Sequence, residues 1–166
     1  MSLEKDFLAL LRTHEGLIHK VTRIYTDTTA DKEDLYQEII YQWWKSFQSF
    51  KGDSKISTWL YKVALNTAIV HLKKRKKRKG TDSINDQVLD IPETDDSVKE
   101  EQLDSLTKCI KRLNEIDRTI ILCYLDGKSH EEISLIVGLG KSNIGTRIGR
   151  IKKRIKETLK LDEDGI

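Results

Sequence analysis

Between Gly80 and Glu101 the chain carries eight acidic residues, one lysine and its only proline, with scattered aliphatic side chains and nothing else to bury. Such a stretch cannot hide enough apolar surface to offset the entropy of ordering it, so it reads as a flexible acidic linker. This decides the architecture. The 166 residues are left with two flanking segments, 1–79 and 102–166, each limited to a small core. Charge divides at the same places, with 16 basic and 9 acidic residues before the linker, 1 and 8 within it, and 13 and 10 after it. The overall +3 therefore conceals a +7 arm, a −7 connector and a +3 arm. Two basic modules on an acidic tether suit a polyanionic partner.

The first flank reads as helical. Phe7, Leu10, Leu11, Leu17, Ile18, Val21 and Ile24 recur mainly at three and four, with Gly16 leaving open whether Asp6 to Tyr25 is one helix or two. After a turn at Thr26–Thr29, Ala30 to Phe50 resumes with Asp31, Glu33 and Asp34 in its first turn, where a helix N-terminus favours acids. Leu35, Ile39 and Trp43 form one apolar stripe, and Ile40, Trp44 and Phe47 its neighbour, an arc wide enough for a central helix. Asp34, Gln37, Glu38 and Tyr41 are left on the remaining faces, as solvated positions or as a docking surface for a protein.

Lys51 to Lys55 is a loop by its Gly-Asp-Ser content, and a third helix follows with Ser57 or Thr58 as its N-cap. Leu60, Val63, Ala64, Thr67, Ala68 and His71 give it a largely apolar face, while Tyr61, Asn66 and Lys73 lie on the other. Seven consecutive cations, Lys73 to Lys79, exceed what the helix dipole favours, because that effect fades within one turn. An aromatic ring, an amide and a row of cations are what an opened DNA strand requires of a protein that holds it. Trp59 serves equally as core or as base platform.

In the second flank Leu103, Leu106, Ile110 and Leu113 mark one helix, and Ile116, Ile120, Ile121, Tyr124 and Leu125 another that stops at Gly127. Ser129-His130-Glu131-Glu132 then has the spacing of a capping box, with Ile133, Ile136 and Val137 inward, Gly138 at the C-cap and Leu139-Gly140 as the turn. A longer helix from about Lys141 buries Ile144, Ile148, Ile151, Ile155 and Leu159. This is a helix-turn-helix pattern. Its second helix would present Lys141, Ser142, Asn143, Thr146, Arg147 and Arg150 to base edges in the major groove, with Lys152, Lys153, Arg154 and Lys156 extending the cationic face. Gly145 and Gly149 each weaken that helix by about 1 kcal/mol relative to alanine.

Other classes are disfavoured. No apolar run reaches the roughly 18 residues of a membrane span, and MSLEKDFLALL lacks the pattern of a signal peptide, so a soluble cytoplasmic protein without membrane insertion is expected. Cys109 and Cys123 are isolated, with no CxxC and no paired histidine, which suits core packing. No metal site, cofactor or catalytic residue is expected: Asp31, Glu33, Asp34 and Glu38 fit helix-start and docking chemistry better than the ligands of a nuclease.

With both modules placed, the chain resembles the extracytoplasmic-function (ECF) group of bacterial RNA polymerase sigma factors, within the sigma-70 family. The residues that carry the resemblance are Ala30 to Glu38, similar to the family's second region; Ser57 to Asn66, similar to its Trp-Leu promoter-melting segment; and Gly127 to Lys153, similar to its fourth region. It implies an all-α chain of two small domains, a region 2-like helical bundle over 1–79 and a region 4-like helix-turn-helix domain over 102–166, joined by the linker 80–101. It further implies that Asp34, Gln37, Glu38 and Tyr41 dock on core RNA polymerase. Lys55, Ser57, Tyr61 and Asn66 would capture unstacked minus-ten bases, with Lys73, Lys74 and Arg75 on phosphates. Lys141, Ser142, Asn143, Thr146, Arg147 and Arg150 would read the minus-thirty-five element as duplex. The linker would thread the polymerase's RNA path, and an anti-sigma factor would hold a free chain that is otherwise monomeric. Val70 and Gly145 depart from the family, which usually has an acid and a base there. The alternatives are a stand-alone helix-turn-helix regulator, a nuclease, and an adaptor whose KKRKKRK run is a nuclear address.

Overall fold

A computed structural model describes residues 2–52, 55–78 and 98–164, and all regular structure among them is α-helical. The chain divides into two compact units, Met1–Asp90 and Ile91–Ile166. Most of the acidic stretch read as a linker, together with Lys79, Asp53 and Ser54, lies outside the described residues.

The first unit packs α1 (Leu3–Tyr25), α2 (Thr29–Phe47) and α3 (Ile56–Arg78) against one another in all three pairings. Gly16 does not break α1, whose N-terminus is capped by Ser2 accepting from the Lys5 N–H. Thr28 caps α2 in the same way through the Asp31 N–H. The narrower stripe of α2, Leu35, Ile39 and Trp43, is wholly buried, whereas Ile40, Trp44 and Phe47 are half-buried. Trp44 and Phe47 close over Phe7 of α1, at ring separations of 5.1 and 5.6 Å. Trp43 fixes the crossing of α2 and α3: its indole N–H donates to the Leu60 carbonyl at 3.1 Å, which satisfies the one polar atom of a fully buried side chain.

α3 starts at Ile56, two to three residues earlier than a cap at Ser57 or Thr58 implies. Ser57 and Thr58 lie inside the first turn rather than at the cap, and Thr58 is buried. The helix also buries a wider arc than the expected face, adding Tyr61, Leu65 and Leu72 to Leu60, Ala64 and Ala68, because it has both α1 and α2 to pack on. Beside it, the Phe50 and Trp59 rings pack at a tilt, 4.8 Å apart, across the two ends of the connecting loop, and Gly52 in that loop takes φ +78°, where a side chain would be strained.

The second unit comprises α4 (Val98–Lys111), α5 (Glu115–Leu125), α6 (His130–Val137) and α7 (Lys141–Asp164). α4 begins at Val98, ahead of the expected resumption at Gln102. α5 packs on α4, α6 and α7, so five consecutive residues, Thr119 to Cys123, are buried. Ile116 and Leu125 fall at its two ends and are exposed, not inward as their spacing suggested. Ser129 and Glu132 form the reciprocal capping box of α6, and Gly138 closes it at φ +82° with its N–H donating to the Ser134 carbonyl. Ile144, Ile148, Ile151 and Ile155 then line the buried side of α7, each worth roughly 1.5–3 kcal/mol of burial. Among the described residues no helix is long and apolar enough to cross a membrane.

Candidate nucleic-acid and protein interfaces

Three solvent-facing surfaces emerge from these two frames. On α2, Asp34, Gln37, Glu38 and Tyr41 stand at i, i+3, i+4 and i+7, which places them on one face, and all four are exposed. Tyr41 is 55% exposed despite its size, and Glu38 Oε1 accepts a hydrogen bond from Gln42 Nε2 at 3.3 Å. The opposite side of the same helix carries the buried Leu35, Ile39 and Trp43, so the face is held rigidly by the core beneath it.

On α3 the exposed side carries Asn66, Lys73 and Lys74, with Lys55 exposed just before the helix and Ser57 half-buried. Lys62 and Val70 share this face, one turn to either side of Asn66. Lys62 did not stand out in the sequence, although its i,i+4 spacing from Asn66 was the available signal. Two expected contacts are corrected. Tyr61 is 2% exposed: it packs in the core between the helices, because that position faces α1 and α2 rather than solvent, and it does not offer a base platform. Arg75 is directed inward at Asp31, with Nη1 2.9 Å from Oδ2, and it also lies 3.5 Å from Asp27 Oδ2. Its guanidinium is thus engaged within the protein. Asp31 Oδ1 meets His71 Nε2 at 2.8 Å, so the carboxylate first read as helix-start chemistry ties α2 to two successive turns of α3. Arg75 is paired with Asp31 at close range, but Oδ2 receives no well-aligned hydrogen bond.

On α7, Lys141, Ser142, Asn143, Thr146 and Arg150 are exposed, and Lys153, Arg154 and Lys156 continue the cationic face. The Thr146 hydroxyl donates back to the Ser142 carbonyl at 3.1 Å. Arg147 is half-buried: its Nε donates to Asn143 Oδ1 at 3.1 Å and its Nη1 to Asp117 Oδ1 at 3.0 Å. Lys152 turns away to cover the Tyr124 ring, 4.5 Å from its centroid. The two glycines of this helix differ. A Cβ at Gly145 would meet the His130 ring of α6 at 3.5 Å, an ordinary contact, whereas one at Gly149 would face open space.

Two family models match the chain in order, sigma-70 region 2 over residues 10–78 and sigma-70 region 4 over residues 103–155. Curated relatives extend the match along the chain. It is 29% identical to the ECF RNA polymerase sigma-E factor of Escherichia coli K12, over 92% of this chain and 85% of the relative. With the RNA polymerase sigma-H factor of Pseudomonas aeruginosa it shares 26% identity, over 93% and 85%. Among solved structures, the sigma factor RpoE of Bartonella quintana, crystallised in complex with the anti-sigma factor NepR, has the same fold. The TM-score is 0.78 at 24% identity, covering 95% of this chain and 99% of that one. The chain belongs to the sigma-70 family, as an RNA polymerase sigma factor of the ECF group.

Proposed function

We propose that the chain joins core RNA polymerase through α2, holds the opened minus-ten strand along α3, and reads the minus-thirty-five element as duplex with α7. As a sigma factor it is an initiation factor and not an enzyme. The observation that supports the division of labour most directly is the separation of the exposed faces. One helix of the first unit presents Asp34, Gln37, Glu38 and Tyr41 without a cation among them, the next presents Lys62, Asn66, Lys73 and Lys74, and the last helix of the second unit presents Lys141, Ser142, Asn143, Thr146 and Arg150. An acidic and aromatic face suits a protein partner, and cationic faces with amides suit nucleic acid.

Melting then follows from capture. Extracting a base from the duplex costs a few kcal/mol, and contacts available only in the open strand offset it. Asn66 would supply the amide for a base edge while Lys55, Lys62, Lys73 and Lys74 hold phosphates. Two domains, 1–79 and 102–166, joined by the acidic linker 80–101, span both promoter elements. The free chain is a monomer in the cytoplasm, where its polymerase is. The Bartonella quintana neighbour is described in complex with an anti-sigma factor, and a partner of that type would hold this chain inactive.

Co-elution of the purified chain with bacterial core RNA polymerase, followed by an opening assay on promoter DNA with a fluorescent base in the minus-ten region, tests the reading. Association, with opening only when both proteins are present, is the expected result. Duplex binding without polymerase association at moderate salt would overturn it in favour of a stand-alone regulator.

A further inference from the structure

Asn143 and Arg147 stand one turn apart on α7, and a relay of polar side chains fixes both. Arg147 donates through Nε to Asn143 and through Nη1 to Asp117. Asp117 lies outside the helix-turn-helix pair, in the first turn of α5, and is held in turn by Asn114. Its Oδ2 accepts from Asn114 Nδ2 at 3.2 Å, and its backbone N–H donates to Asn114 Oδ1 at 2.9 Å. Asn114 is the N-cap of α5. The N-cap of α5 is therefore linked, through one carboxylate and one guanidinium, to an amide on the face that meets DNA.

This geometry restricts what each side chain can read. Bidentate contact with guanine needs two N–H groups on one edge of the guanidinium, and here Nε is engaged with Asn143 while Nη1, of the other edge, is engaged with Asp117. Asn143, with Oδ1 turned to Arg147, is left with its NH2 end as the group that can face a base. An NH2 donates only to acceptors, which in the major groove are purine N7, guanine O6 and thymine O4. An acid so close to a DNA-facing helix also weakens binding to every sequence by repelling phosphate, so its value to this surface lies in orientation.

We propose that Asp117 is a positioning residue for base readout: it holds Arg147 as a brace, and the brace orients the Asn143 amide toward a base offering a major-groove acceptor. This rests on the reading of α7 as the helix that meets the minus-thirty-five element. The test uses the full chain bound to core RNA polymerase and a pool of promoter duplexes randomised through the upstream element. Selection by the unaltered protein is compared with Asp117→Asn, Arg147→Lys and Asn143→Ala. Asp117→Asn is expected to lose about tenfold of preference at one or two adjacent base pairs while binding the rest of the pool equally or more tightly. Adding it to Asn143→Ala should change nothing further at those pairs. If Asp117 acted only through its charge, Asp117→Asn would raise affinity for all sequences alike with preference unchanged, and that result overturns the proposal, as does additivity with Asn143→Ala. Arg147→Lys leaves the Asn114–Asp117 cap intact, so it carries the same test if Asp117→Asn fails to fold; unchanged preference there is equally fatal. If the unaltered chain enriches no sequence at all, the reading of α7 itself falls, and the inference with it.

Discussion

Arg75 of α3 lies 2.9 Å from Asp31 of α2, and the same carboxylate meets His71, one turn earlier, at 2.8 Å. Both partners of the ion pair are largely shielded, with 16% and 17% of their side chains exposed, so the contact is screened less than a surface pair. It anchors the basic end of α3 to the start of α2, where the helix would otherwise run out past the core. Asp31→Asn is expected to lower the stability of the first unit by about 1–3 kcal/mol, because it leaves Arg75 and His71 facing a neutral amide. Urea unfolding of Asp31→Asn, Arg75→Gln and the double variant measures it. The double variant should lose little more than the worse single one, and strict additivity would mean that the pair contributes nothing.

Lys73 and Lys74 are neighbours of Arg75 in the sequence but face solvent, and this separates their effects. Replacing both by glutamine should flatten the salt dependence of binding to single-stranded promoter DNA by about 1.4 in the log–log slope, with stability little changed. Arg75→Gln should do the reverse, moving the unfolding midpoint and leaving the slope nearly as it was. Equal slope changes from all three would return Arg75 to the phosphate contacts.

The ends of α6 set the angle at which α7 leaves it. Ser129→Ala removes the hydroxyl half of the capping box and should cost about 1 kcal/mol. Gly138→Ala forces a side chain into the left-handed region at φ +82° and should cost about 1–2 kcal/mol. Gly149→Ala has the opposite sign: the position is helical and faces open space, so a gain of up to about 1 kcal/mol is expected. Denaturation of the three variants, read on the second unit, checks both signs.

Cys123 is fully buried in α5, and burial pushes its thiol from 9.0 up to about 12. The fold favours the neutral thiol, so the stability linked to it is present below the ordinary thiol range and declines as pH rises toward 12. Between pH 7 and 9 the thiolate stays scarce although its small fraction rises about tenfold per pH unit, so a thiol reagent should modify Cys123 far more slowly than a free thiol, at a rate that still climbs past pH 9. Mass spectrometry after a timed pulse reads it. Rapid modification that levels off near pH 9, as for an ordinary thiol, would show that the site opens to solvent.

Much of the second unit was legible along the chain because its determinants are local. The Ser129–Glu132 box, the left-handed Gly138 and the isoleucines of α7 each act within a turn or two of sequence. The exposed face of α2 was legible for a related reason: Leu35, Ile39 and Trp43 occupy one side, and residues offset by a helical period must occupy the other. Where spacing misled, a second neighbour was responsible. Tyr61 was placed on the open side of α3 from a face drawn for one contact, but α3 has two helices to pack on and buries a wider arc.

The pairing of charged groups was decided by tertiary structure alone. Helical periodicity shows that His71 and Arg75 share a face, and that Asn143 and Arg147 do. It carries no record of the carboxylate each pair meets, since Asp31 and Asp117 reach them from other helices. A local hydrogen-bond pattern or apolar repeat is a property of neighbouring residues, so the sequence by itself determined the helices, both caps of α6 and the order of the two regions. The strength of an ion pair depends on distance and burial across elements separated by many residues, so packing alone decided which cations remain available to nucleic acid and which hold the protein together.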